Sequence, residues 1–157
     1  MLLRFEDGSP FAQGASKYVY RPVTELENTP RIFVGVKIEN IPTEAVVDTG
    51  GVYLLCNPEI GELLDLDPAS GLETKKLRIP RLGLDVPGTL HRLYLTLWAE
   101  EGKSLKLEAT AFVPRFQLNK LRELPSFMGL MGCLDRIRFA VDPTTDTFYF
   151  GGIDEGS

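Results

Sequence analysis

The sequence contains few of the residues that most metal sites and many catalytic sites use. Among its 157 residues are one histidine, His91, and two cysteines, Cys56 and Cys133. The cysteines follow no metal-binding spacing such as Cys-x-x-Cys. We therefore predict no metal ion and no other cofactor, and we expect both cysteines to be buried free thiols.

Basic charge and long apolar runs are also scarce. The net charge is -5, the pI is about 5.0, and the densest basic cluster is the short run KKLR at 75–78. Nucleic-acid binding needs a concentrated basic surface, so no nucleic-acid partner is predicted. No window approaches the roughly 18 apolar residues of a membrane span. The first ten residues lack the basic region and apolar core of a signal peptide. We expect a cytoplasmic protein with no membrane partner.

Two common catalytic motifs are missing as well. No serine lies in a Gly-x-Ser-x-Gly elbow, and no Gly-x-x-x-x-Gly-Lys loop is present. His91 lies in an alternating segment next to Arg92. We predict that His91 has a surface or structural role, and not a role in Ser-His or Cys-His catalysis.

The chain does contain many short segments of alternating apolar residues, which are typical of strands. Its length and its 43% hydrophobic content predict one domain with a substantial core. Residues 1–17 are predicted to form a loose N-terminal arm, and 18–157 a single domain. A short helix is predicted over about 58–65, with Asn57 as its N-cap, and a helical turn or two at 118–124. The predicted strands are 17–23, 31–38, 43–50, 51–56, 73–79, 89–99, 104–114 and 148–152. This pattern favours a mainly β fold, either barrel-like or a sandwich.

One carboxylate lies in an unexpected place. Asp48 interrupts the apolar run AVVDTGGVYLL at 45–55. A buried ionised carboxylate is costly unless it is paired or hydrogen-bonded. The glycines that follow permit a tight turn that brings backbone N–H groups to the carboxylate, and Thr49 adds a hydroxyl. Such a loop would hold Asp48 still for general-base catalysis on a water molecule.

VVDTGG resembles the Asp-Thr/Ser-Gly loop of the retropepsin-like aspartic proteases. As in that family, the motif follows a hairpin of two apolar strands, RIFVGVKIENIPTEAVVDTG, and GLMGCLDRIRF and TFYFGG follow it. By this resemblance Leu130, Met131 and Gly132 are the two apolar residues and the glycine that the family has downstream. Gly51 stands where the family usually has Ala or Ser, and we expect it to make the loop more flexible.

The resemblance implies a mainly β, closed barrel with one or two short helices. It also implies an endopeptidase in which two aspartates act as a pair on a peptide or protein substrate. The chain has one Asp-Thr-Gly, so Asp48 would need its copy in a homodimer. Thr49 would brace the partner loop, and the Gly50 N–H would donate to the carboxylate. The loop 80–88, with Leu82, Gly83 and Leu84, would be the flap over the substrate. Residues 2–6 and 147–151 are expected to form interface strands.

Two other hypotheses remain open at this point. A dimer with the same fold could bind peptides or proteins without cleaving them. Alternatively, the chain could be an unrelated β domain in which Asp48-Thr49-Gly50 is only a turn, because Asp and Gly are common turn residues.

Overall fold

A computed structural model describes residues 2–80, 82–115 and 122–153. Within these residues the chain is mainly β, with twelve strands and one α-helix. The strands are β1 (Gly14–Lys17), β2 (Val19–Pro22), β3 (Pro30–Ile38), β4 (Ile41–Val52), β5 (Leu54–Leu55), β6 (Glu73–Ile79), β7 (Leu84–Leu97), β8 (Glu101–Gly102), β9 (Leu105–Pro114), β10 (Ser126–Met131), β11 (Ile137–Asp142) and β12 (Thr147–Gly152), and the helix is α1 (Pro58–Leu63).

The larger sheet closes on itself into a barrel. Its strand order is β2-β3-β4-β10-β5-β9-β7-β6, and β3 also pairs with β7 through Val36–Leu97 and Ile38–Leu95. This last pairing joins two strands that are distant in the sheet order, and closure removes their exposed edges. The predicted closed β-barrel is thereby confirmed.

The barrel encloses the alternating apolar side chains that predicted its strands. Val36, Leu95 and Phe112 are almost fully buried there. Each buried side chain of this size stabilises the fold by roughly 1.5–3 kcal/mol. The apolar residues form two core clusters, and the second lies between the β6–β7 hairpin and the strands that carry Asp48.

A smaller sheet of order β11-β12-β1-β8 contains the first and the last strand of the described chain. β1 pairs with β12 on one side and with β8 on the other. The prediction of a loose arm therefore does not hold for Gly14–Lys17, because this segment completes a sheet and Ala15 is buried. β12 lies between β11 and β1, so its two edges are both used within the chain. The expectation that 147–151 offers an interface strand is wrong for this reason.

The turn predicted at 80–88 is shorter in the structure. β6 pairs with β7 up to Ile79–Leu84, so Leu84 to Gly88 belong to a strand. Pro87 is tolerated there because β7 pairs with β9 only from Gly88 onward. The missing N–H of Pro87 therefore interrupts no central ladder.

The helix begins as the sequence predicts. Asn57 accepts a hydrogen bond from the Glu59 N–H at 2.8 Å, and Pro58 takes the first helical position. The Asn57 amide also donates to the carbonyl oxygen of Leu124 at 2.6 Å. Of the helical turn predicted at 118–124, residues 118–121 lie outside the described part of the chain. Within the described residues, no helix has the length and apolar character needed to cross a membrane.

Both cysteines are free and buried, as predicted. Burial raises the pKa of the Cys56 and Cys133 thiols to about 12. Since the thiolate is the reactive species, we expect neither cysteine of the folded protein to react with a disulfide reagent near neutral pH. Titration of thiols before and after denaturation checks this, and both should react only after unfolding. Fast labelling of the native protein would contradict the buried placement.

Candidate active site

Asp48 lies on β4 where that strand runs beside β10. The parallel pairing of β10 with β4 sets Phe127 opposite Val46 and Gly129 opposite Asp48. Strand β10 enters between β4 and β5, although β4 and β5 are neighbours in sequence. The segment 48–53, called the Asp48 loop below, leads from the end of β4 to β5. Strand β10 therefore lies between the two strands that this loop joins.

The carboxylate of Asp48 is partly buried and has two partners. The Gly50 N–H donates to Oδ1 at 3.2 Å, which is the backbone contact predicted from the glycine turn. Nη2 of Arg31 lies 3.3 Å from the same oxygen, and the Asp48 side chain is 28% exposed. The cost of partly burying this carboxylate is thereby offset by one amide donor and one cation.

Sequence reasoning missed Arg31, although a signal for it exists. β3 and β4 form a hairpin in which Phe33 pairs with Val46 and Ile38 with Ile41. Continuing that register toward the strand ends places Arg31 opposite Asp48. The turn predicted at 39–42 would instead pair Ile38 with Thr43 and place Arg31 opposite Gly50. The observed two-residue turn at Glu39 and Asn40 shifts the register by two residues and brings Arg31 to Asp48.

Two glycines give the Asp48 loop its close packing. A Cβ on Gly129 would lie 2.6–2.7 Å from backbone atoms of Gly51, Val52 and Tyr53, so no side chain fits there. A Cβ on Gly51 would lie 2.9 Å from Oδ2 of Asp48. Gly51 therefore leaves room for the carboxylate.

The glycine packed against the loop is not the one the resemblance suggested. The resemblance assigned the downstream apolar pair and glycine to Leu130, Met131 and Gly132. In the structure, β10 instead places Phe127, Met128 and Gly129 along Val46, Val47 and Asp48. Local sequence could not separate the two registers, because FMG and LMG are both apolar pairs followed by glycine. The close packing around Gly129 decides between them.

A cleft of about 820 Å³ opens at Asp48. Its apolar wall is formed by β5, β6, β10 and nearby segments, and its polar wall by the segment before β3 and by Arg31. The described lining residues are Glu27, Asn28, Thr29, Arg31, Asp48, Gly50, Gly51, Val52, Leu55, Leu77, Arg78, Ile79, Pro80, Leu124, Phe127 and Gly129. Glu27 is the one carboxylate besides Asp48 among them. A volume of this size fits a short extended peptide or a drug-sized molecule.

The hairpin of β6 and β7 lies over one side of this cleft. The end of β6 contributes Leu77, Arg78 and Ile79 to the lining, and Pro80 follows them. The residues predicted as the flap, Leu82, Gly83 and Leu84, lie at the turn and the start of β7. Gly83 has a φ of +69°, and the two leucines pack against the second core cluster.

A polar contact joins this hairpin to the Asp48 loop. Nζ of Lys75, on β6, donates to the Tyr53 hydroxyl at 3.0 Å, and this hydrogen bond raises the pKa of Lys75. Tyr53 ends the loop and has a φ of +61°. Thr49, in contrast, is exposed. No group of three His, Cys, Asp or Glu side chains that could hold a metal occurs in the described ranges.

His91 is buried beside Thr89 and is not among the residues that line the cleft at Asp48; the exposed Arg115 reaches both side chains. Its Nε2 lies 2.7 Å from Oγ1 of Thr89 and 3.3 Å from Nη2 of Arg115. Because a guanidinium can only donate, Nε2 must accept, and the neutral ring carries its proton on Nδ1. Burial, and secondly the charge of Arg115, lower the pKa of His91.

This lowered pKa makes stability depend on pH. The unfolded chain protonates its histidine below about pH 6.5, whereas the folded chain resists protonation. The free energy of unfolding should therefore be unaffected by His91 above that pH and should fall below it, by at most about 1.4 kcal/mol per pH unit. Urea denaturation between about pH 5 and 7 checks this against His91→Gln, which should lack this part of the slope. Equal slopes would contradict the role of His91.

Comparison with known proteins supports the fold. No protein-family model matches the sequence, and no curated protein matches it. The structure is similar to a retropepsin-like aspartic protease from Rickettsia conorii, with a TM-score of 0.53 and 16% sequence identity. The similarity covers 88% of this chain and 95% of the other. The chain therefore has the retropepsin-like fold that its sequence predicted.

Proposed function

We propose that this chain is an aspartic endopeptidase that acts as a homodimer, with Asp48 of each subunit forming the catalytic pair. One observation carries the proposal. Asp48 is held by the Gly50 N–H on a tightly packed loop, at the edge of a cleft that a β-hairpin partly covers. This is the placement that general-base catalysis on a bound peptide requires.

The chemistry follows from two carboxylates that lie close together. Two neighbouring carboxylates repel each other when both are ionised, so the pair shares one proton. The ionised carboxylate removes a proton from water as the water oxygen bonds to the peptide carbonyl carbon. The other carboxylic acid gives its proton to the carbonyl oxygen. The carboxyl that took the proton from water then gives it to the amide nitrogen, while the other carboxylate takes a proton from a hydroxyl of the diol. The C–N bond breaks, which leaves a free amine and a free acid and returns the pair to its starting state.

Arg31 adds a positive charge to this arrangement. In the single chain it pairs with Oδ1 of Asp48. When Asp48 of the partner subunit approaches, the guanidinium reduces the repulsion between the two carboxylates. The apolar wall of the cleft, with Leu55, Ile79 and Phe127, favours substrates with apolar side chains near the cleaved bond.

The test is cleavage of a peptide library by the wild-type chain and by Asp48→Asn, from acid to neutral pH. The wild type should cut at defined positions, and Asp48→Asn should not cut. A wild-type dimer that binds peptides without cutting them would contradict the proposal. Equal cleavage by both proteins would remove Asp48 from the mechanism.

A further inference from the structure

The β6–β7 hairpin separates from the rest of the larger sheet at Gly88. β6 is the last strand in the order of that sheet, and β7 pairs with β9 only from Gly88 onward. Among the described residues, the strand segments 76–79 and 84–87 therefore form ladder pairs only with each other. Side-chain contacts with the barrel must then help to set the angle at which this hairpin lies over the cleft.

Lys75 lies at the base of this projecting part of the hairpin. It pairs across the hairpin with Gly88, where a Cβ would lie 2.5 Å from the Phe112 ring, so the base packs closely against the barrel. Nζ of Lys75 donates to the Tyr53 hydroxyl at 3.0 Å. Glu73 lies 3.9 Å from the same ammonium, but such an exposed ion pair on one strand fixes little. The contact with Tyr53 is therefore the one that ties the base to the Asp48 loop.

The backbone of Tyr53 is hydrogen-bonded to β10 through both of its polar groups. Its N–H donates to the carbonyl oxygen of Met131 at 2.7 Å, and its own carbonyl oxygen accepts the Gly129 N–H at 2.8 Å. Gly129 is the residue that lies opposite Asp48. Tyr53 thus contacts the hairpin with its side chain, and with its backbone it contacts the strand that supports the carboxylate.

Tyr53 holds a backbone conformation that is unfavourable for a large side chain. Its φ of +61° lies in the left-handed region, where glycine and asparagine are at less of a disadvantage. The tyrosine ring is only 8% exposed and belongs to the core cluster that contains Ile79 and Val86 of the hairpin. Contacts of the ring and of the hydroxyl therefore offset the strain, and strain of this kind is common at functional sites.

We propose that Tyr53 is a positioning residue that links the angle of the β6–β7 hairpin to the place of Asp48. Ile79, which lines the cleft at the far end of β6, lies roughly 13 Å along the strand from Lys75. A small rotation at the base therefore displaces the cleft wall by a larger distance. The effect on cleavage rests on the proposed function, whereas the link between hairpin and loop exists without catalysis.

Hydrogen exchange tests the link in the absence of substrate. Tyr53→Phe removes the hydroxyl and keeps the ring in the core, and Lys75→Met removes the donor. In each variant the amides of β6 should exchange about fivefold faster than in the wild type, with those of β11 and β12 within about twofold. Lys76→Met, at the exposed neighbouring lysine, and Tyr20→Phe, at a side chain that is 63% exposed, are the matched controls and should change neither.

Cleavage of a peptide that the wild type cuts gives the second measurement. Tyr53→Phe should raise KM by about fivefold and leave kcat within about twofold, because the carboxylate pair is intact and the cover over the bound peptide is looser. Lys75→Arg keeps a cationic donor and should restore a KM near that of the wild type. A merely structural loss of stability would lower the amount of active protein and leave KM unchanged.

The outcomes separate this inference from the proposed function. Unchanged exchange of β6 in Tyr53→Phe would overturn the link, whatever the cleavage assay shows, and so would an equal rise over β6, β11 and β12. Faster exchange of β6 with an unchanged KM would overturn the positioning role. If the wild type cuts no peptide, the proposed function fails, and a rise in exchange confined to the hairpin still supports the link through Tyr53.

Discussion

Asp48→Asn is expected to lower peptide cleavage by about 10⁴-fold or more, with the fold and the dimer retained. Asn keeps the size of the side chain and can still accept the Gly50 N–H, but it cannot take a proton from water. The loss should appear in kcat, since no binding contact to the substrate is removed. Asp65→Asn is the first of two controls. Asp65 is exposed and has a φ of +50°, which Asn tolerates equally well, so this variant should keep full activity.

Glu27→Gln is the sharper control, because Glu27 also lines the cleft. If the second carboxylate of the pair comes from the partner subunit, this variant should cleave at a rate near that of the wild type. If Glu27 completed the pair within one chain, the variant would be as inactive as Asp48→Asn, and the homodimeric mechanism would be wrong.

Mixing the two proteins tests the shared site directly. After subunit exchange in an equal mixture, about one quarter of the dimers contain two Asp48 residues, so activity per wild-type chain should fall by about half. A monomeric enzyme would show no such fall. Sedimentation of the same mixture should confirm that the amount of dimer is unchanged.

Gly129→Ala is expected to destabilise the fold by about 3 kcal/mol, because the new methyl group would overlap backbone atoms of three consecutive residues. Gly51, Val52 and Tyr53 all lie 2.6–2.7 Å from the position of that Cβ. Backbone cannot move aside as a flexible side chain can, so β10 must separate from the Asp48 loop. The thermal midpoint should fall by about 10 °C. Because Gly129 lies opposite Asp48, cleavage by the folded fraction should fall as well.

Gly35→Ala is the matched control for this prediction. Gly35 also lies within a strand, but nothing is within 4 Å of its Cβ position. Its substitution should leave the free energy of unfolding unchanged or raise it by about 0.5 kcal/mol, as Ala restricts the unfolded chain more than Gly does. Thermal and urea denaturation of both variants give the comparison. Similar stabilities would mean that β10 does not pack closely against the loop.

Most of the strands could be read from the sequence, because alternation along one strand reports which side chains face a core. The segments 31–38, 73–79 and 148–152 all appear as strands near their predicted bounds. The start of α1 was predictable from Asn57 and Pro58, since a capping contact joins residues only two apart. The prediction failed for Gly14–Lys17, whose pairing strands are distant in the sequence. This segment is a strand only because β12 and β8 lie beside it.

In the candidate site, too, some residues were predictable from the neighbouring sequence and others depend on contacts between distant segments. Asp48 and its backbone donor are local: the glycine turn predicted amide donors to the carboxylate, and the resemblance specified the Gly50 N–H. The Arg31 partner follows from the register of one hairpin. Gly129 could not be chosen over Gly132 from the sequence, because β10 and β4 are far apart along the chain and their register depends on packing. The sequence by itself determined which residues form strands and where a restrained carboxylate lies. Only the tertiary structure decided which glycine supports it, which strand edges are free, and which side chain of its loop contacts the hairpin, since these depend on contacts between distant segments.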